Sequence, residues 1–187
     1  DEAAQLGPVE AYYLKKTTDE FRRSGADLEG EAKEQLQAID IKLAETTNAF
    51  SQNVGDSTDA FEFLLTDEAR LKGLPADAIA LARNAAQGAG KEGWLFTLQA
   101  PSYVPVMTYL DDAEIREHLY RAYNTRGTTE AFDNRSLLIQ ILDLRSRKAE
   151  ILGYGDVSDL YLEARMVGNG KRARDFVDDL RARSAPY

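Results

Sequence analysis

Apolar positions in this chain recur mostly at intervals of three and four, the spacing of one helical face. Gly7-Pro8 opens such a pattern, which runs to about Arg23 with Tyr12, Tyr13, Leu14 and Phe21 as its bulk, and Ser24-Gly25 ends it. A second helix follows Asp27-Leu28. Its seam, Leu36, Ile39, Leu43, Thr46, Phe50 and Val54, is narrow enough to serve a single neighbour. The first two helices are expected to form an antiparallel pair, and Asn53 to make a helix-end hydrogen bond. Gly55-Asp56-Ser57 reads as a break.

Two runs depart from helical spacing. Phe61–Thr66 and Trp94–Leu98 are short, aromatic and partly alternating, which predicts two strands that pair and need helices over one face. Leu71 to Pro75 carries a turn signature, and a helix is expected from Pro75 to about Gln87, stopped by Gly88 and Gly90. Pro101 and Pro105 break any preceding strand and start something new. Asp111 followed by Glu114 predicts a capped helix start, with Ile115, Leu119, Ala122 and Tyr123 on one face and Arg116, Glu117 and Arg121 on the other; Gly127 is the stop. After a polar loop from Thr128 to Asp133, a helix holds Leu137, Leu138, Ile141, Leu142, Leu144, Ala149 and Leu152 and closes at Gly153. A short helix over Val157 to Met166 and a last one over Lys171 to Arg183 complete the pattern. The last exposes Phe176, Val177 and Leu180 on a face that needs a partner. The fold class is therefore mostly α, a multi-helix array with one small two-stranded β element, in a single domain spanning 1–187.

Composition narrows the chemistry. The 187 residues suffice for one ordinary core. A net charge of −9 argues against a nucleic-acid partner, which needs a basic patch, and no membrane-surface role is suggested. With no cysteine, disulfides, thiolate nucleophiles and cysteine-based zinc sites are excluded, and a reducing cytoplasmic location fits. No apolar run approaches the roughly 20 residues that span a bilayer. The first ten residues are acidic, lack a signal-peptide core and lack an initiator Met, so the chain is expected to begin inside a longer protein.

The central stretch is more specific in wording than in pattern. Pro101-Ser102-Tyr103, Pro105-Val106-Met107-Thr108-Tyr109, Arg116-Glu117, Tyr120-Arg121-Ala122-Tyr123 and Thr125-Arg126 resemble a run found in the thimet-oligopeptidase and oligopeptidase A family of zinc metallopeptidases, with the oligopeptidase A branch nearest. Asn134-Arg135, Leu144-Arg145 and the stretch from Ala149 to Tyr154 resemble a further family segment. The resemblance implies a parent enzyme that uses zinc to hydrolyse short peptides in a channel between two helical halves. It also implies that this chain supplies scaffold and channel wall, with a C-terminal catalytic half supplying the chemistry.

Zinc peptidases of this class need H-E-x-x-H on a helix, two histidines facing one way with a Glu beside the water. This chain has one histidine, His118, expected on a helix surface. Asp111-Asp112 and Asp178-Asp179 are expected at helix starts or on solvated faces, and Tyr103, Tyr109, Tyr120 and Tyr123 either line a peptide channel or pack. No catalytic, cofactor-binding or metal residue is assigned, and the chain alone is expected to hold no zinc and cleave nothing. The rival reading is a stand-alone helical module that binds a protein or peptide, and exposed apolar faces allow a dimer under either.

Overall fold

The computed structural model of the chain describes residues 6–185. Among these, eight α-helices and one two-stranded sheet occur in the order α1 (Pro8–Arg23), α2 (Gly30–Asp59), β1 (Phe63–Leu65), α3 (Ala76–Gly88), β2 (Trp94–Phe96), α4 (Ala100–Tyr109), α5 (Ala113–Asn124), α6 (Arg135–Ile151), α7 (Val157–Leu162) and α8 (Gly170–Ser184). The expected class, mostly α with one two-stranded β element, is what forms. Two compact units can be distinguished. One combines the stretch up to Thr46 with the stretch from Ile139; the other is Thr47–Leu138.

The Thr47–Leu138 unit is built around the hairpin. β1 and β2 pair antiparallel with Leu64 opposite Leu95. β2 is buried at all three positions, and Leu65, Leu71, Leu74, Ala82, Trp94, Phe96, Val106, Leu110, Ile115 and Leu119 make one core. Gly93 makes the hairpin approach possible. Its φ is +116°, and a Cβ there would lie 2.4 Å from the Leu65 carbonyl oxygen.

Several local expectations are corrected here. α2 does not break at Gly55 but continues to Asp59. The last turn is held by Thr58, which is buried, donates to the Val54 carbonyl at 2.7 Å and accepts from the Arg126 guanidinium at 3.1 Å. A mid-helix glycine costs about 1 kcal/mol relative to Ala, less than those contacts supply. Asn53 is not at a helix end; its amide donates across to Asn134 at 2.8 Å. Pro101 and Pro105 do follow the end of the strand, and the new element there is a helix. They lie in α4, Pro101 in the first turn, where its missing N–H is not needed, and Pro105 in the interior, beside the fully buried Val106. The α5 cap is Asp112 rather than Asp111: its carboxylate accepts from the Ile115 N–H at 3.1 Å. The loop before α6 contains a short 3-10 turn at Glu130–Phe132, and α7 ends at Leu162, short of Met166.

In the other unit, Leu36, Ile39, Ile141, Leu144, Ala149 and Leu160 are buried. α1 and α8 bury no residue. The pair expected of the first two helices therefore does not create an interior on the α1 side. Tyr12, Tyr13 and Phe21 on α1, and Phe176, Val177 and Leu180 on α8, stay exposed. The exposure expected of the last helix is present.

Candidate functional site

The four tyrosines separate into two kinds. α4 and α5 bring Tyr103 and Tyr123 into a stack, with ring centroids 4.2 Å apart and planes 14° from parallel. The Arg126 guanidinium covers the free face of Tyr123 at 3.6 Å from its centroid and is fixed by the Tyr123 carbonyl and the Thr58 hydroxyl. Burial pushes the Tyr103 phenol above its ordinary pKa, with Tyr123 and Tyr120 adding to the shift. Tyr103 packs against the hairpin core, whereas Tyr109 and Tyr120 lie on the surface.

His118 is on the exposed side of α5, its ring 5.1 Å from that of Phe63 and 5.8 Å from that of Phe61. Among the described residues no three His, Asp or Glu side chains converge as metal ligands. The residues here do not fit the zinc that the resemblance implies for the parent enzyme. Three of the four carboxylates in the two acidic pairs have structural partners. Asp112 binds Arg70 at 2.6 Å, which together with the helix N-terminus lowers its pKa, and Asp111 faces Lys72 at 3.6 Å. Asp179 pairs with Arg183 along α8.

In the unit that contains α1, a hollow of about 480 Å³ opens where that helix meets α6 and the α7 region. Lys16, Arg23, Lys148 and Arg165 line it, with Glu20 as the opposing charge. Sequence reasoning passed over this grouping. The local hint is the Lys15-Lys16 and Arg22-Arg23 doublets on α1, but the partners lie more than a hundred positions away, where no helical period can reveal them.

The chain is 36% identical to oligopeptidase A of Salmonella typhimurium and to oligopeptidase A of Escherichia coli, each over all of this chain. The chain is homologous to oligopeptidase A. It corresponds to the N-terminal part of these proteins and spans about 28% of their length. A probable cytosolic oligopeptidase A of Arabidopsis thaliana is 37% identical over 86% of the chain and 24% of its own length. The model of peptidase family M3 matches residues 106–187. The resemblance read from the stretch around Tyr103 to Arg126 is thus borne out, and it extends over the whole chain.

Proposed function

We propose that this chain is the N-terminal helical scaffold of a zinc-dependent oligopeptidase that hydrolyses short peptides, and that it contributes channel wall while other sequence contributes the reaction. The observation that supports this is identity of 36% along the entire chain to proteins of which it spans about 28%. In such an enzyme bound zinc supplies a polarised carbonyl and an activated water. The residues of this chain position and enclose; His118, alone on a helix surface, takes no chemical step.

The same reading places the parent protein in the cytoplasm. The chain lacks cysteine, and among the described residues no helix is long and apolar enough to cross a membrane. The exposed side chains of α8 dock the catalytic half or, in its absence, a second copy.

The test is a comparison of two proteins. Residues 1–187 and the longer protein that contains them are each incubated with zinc and a short internally quenched peptide, with and without a chelator. Chelator-sensitive cleavage by the longer protein and none by residues 1–187 is expected. Chelator-sensitive cleavage by residues 1–187 would overturn the assignment of chemistry to other sequence, and an inactive longer protein would overturn the peptidase reading.

A further inference from the structure

The chain carries a formal charge of −9, yet the α1 hollow is lined by four cations against one carboxylate. Two of these cations are anchored. The Arg23 side chain is 19% exposed and sits 3.6 Å from Glu163; the Lys148 side chain is 23% exposed and sits 2.6 Å from Asp40. Asp40 holds Lys148 from outside the lining, whereas Glu163, beside Arg23, lines a second, adjoining hollow. Lys16 and Arg165 make no ion pair among the described residues. That second hollow, of about 280 Å³, shares Lys16 and Arg23, adds Lys15 and the carboxylates Asp19 and Glu163, and continues along α1 to Tyr12; Asp19 is taken up by Lys15 at 2.6 Å and Glu163 by Arg23 at 3.6 Å. The half-exposed Tyr161 ring gives the first hollow an aromatic wall. The result is a trough in which Arg23 and Lys148 are paired and mostly buried, Lys16 and Arg165 are exposed and make no ion pair among the described residues, and Tyr161 and Tyr12 stand along its length.

We propose that this trough binds short peptides through a carboxylate, with a neighbouring apolar side chain of the peptide laid against Tyr161 or Tyr12. Arg presents paired N–H groups that match a carboxylate, and the bonds are charge-assisted. The aromatic wall distinguishes the ligand from a bare inorganic anion. The acidic surface distinguishes it from nucleic acid, because a polyanion meets repulsion from the whole chain while one or two carboxylates meet mainly the local cations. All of the lining residues belong to this one unit, and binding there is independent of the peptidase reading.

The experiment is fluorescence anisotropy on the full 187-residue chain. The probe is a short rhodamine-labelled peptide of alternating Glu and Leu with a free C-terminus. Companion peptides carry Gln for Glu, a C-terminal amide, or both. The fully neutral peptide is expected to bind at least roughly tenfold more weakly than the parent peptide, and K16E/R165E to lose a similar factor for the charged probe. Whichever singly charged peptide retains binding identifies the carboxylate as a side chain or a C-terminus. R181E/R183E, on α8, is the control for nonspecific charge and should bind like the wild type. If K16E/R165E loses its helical circular dichroism, K16Q/R165Q replaces it with the same expected direction. No binding of the charged probe, equal binding of the neutral peptide, inorganic phosphate competing at the affinity of the charged peptide, or full binding by a folded trough variant would each overturn the proposal.

Discussion

Asn134 offers a sharp test of how the Thr47–Leu138 unit is tied together. It is 6% exposed. Its side-chain amide donates to the Phe50 carbonyl at 3.0 Å, its side-chain oxygen accepts from Asn53 at 2.8 Å, and its backbone N–H donates to the Gly127 carbonyl at 2.8 Å. Asn134→Ala removes the first two and leaves the third. Each side-chain bond contributes about 1 kcal/mol net, and the half-buried Asn53 amide loses its acceptor, so the expected loss is about 2–3 kcal/mol. Asn134→Asp separates hydrogen bonding from packing. It still accepts from Asn53 but sets a buried carboxylate against the Phe50 carbonyl. Its folded pKa is therefore raised, and its penalty, present at neutral pH, shrinks as pH falls. Urea unfolding read by Trp94 suits the measurement, since this is the single tryptophan and lies buried in the same unit. An Ala variant within about 0.5 kcal/mol of wild type, or an Asp variant that gains nothing on acidification relative to wild type, would refute the account.

Four further outcomes follow from particular contacts. Gly55→Ala should stabilise by about 1 kcal/mol in the same melts, because a Cβ there meets nothing within 4 Å and the backbone is helical; destabilisation would mean that α2 is not continuous at that point. Gly93→Ala should cost about 2 kcal/mol or more, through its positive φ and the Leu65 carbonyl, and an unchanged urea midpoint would count against the hairpin geometry. Asp112 has a folded pKa below its unfolded value, chiefly through the Arg70 hydrogen bond, so its contribution is present above pH of about 4 and lost as pH falls through the folded value. Arg70→Ala should flatten that part of the acid-stability curve, and an unaltered slope would rule the pair out as its cause. We also propose that residues 1–187 self-associate through α8, so Phe176→Glu with Leu180→Glu should lower the mass seen by sedimentation equilibrium; wild-type protein monomeric at all concentrations would contradict this.

The class of fold was legible because most apolar positions obey one period, and the two runs that do not are the two strands. The misreadings share a cause. Gly55, Pro105 and Asp111 were judged by local propensity, and each was decided by something distant in sequence. Arg126 reaches Thr58, the hairpin core encloses Val106, and Arg70 reinforces Asp112 as the cap. The tyrosines were visible as a group but not the stack of Tyr103 on Tyr123, which the contact of α4 with α5 brings about. Family wording in the sequence was more informative than physics about function. The trough was hidden from both, because it joins α1 to residues near Lys148 and Arg165 and repeats no motif.

The division into units also bears on the order in which the chain can assemble as it is synthesised. Thr47–Leu138 is one uninterrupted stretch. It can settle as soon as its own last residues leave the ribosome. The stretch up to Thr46 has no such option, for its companions begin at Ile139. At roughly 5–20 residues per second it waits several seconds for them. Throughout that interval Leu36 and Ile39, later buried, join Tyr12, Tyr13 and Phe21 as uncovered apolar surface. The earliest part of this chain to be made is thus among the last to be finished.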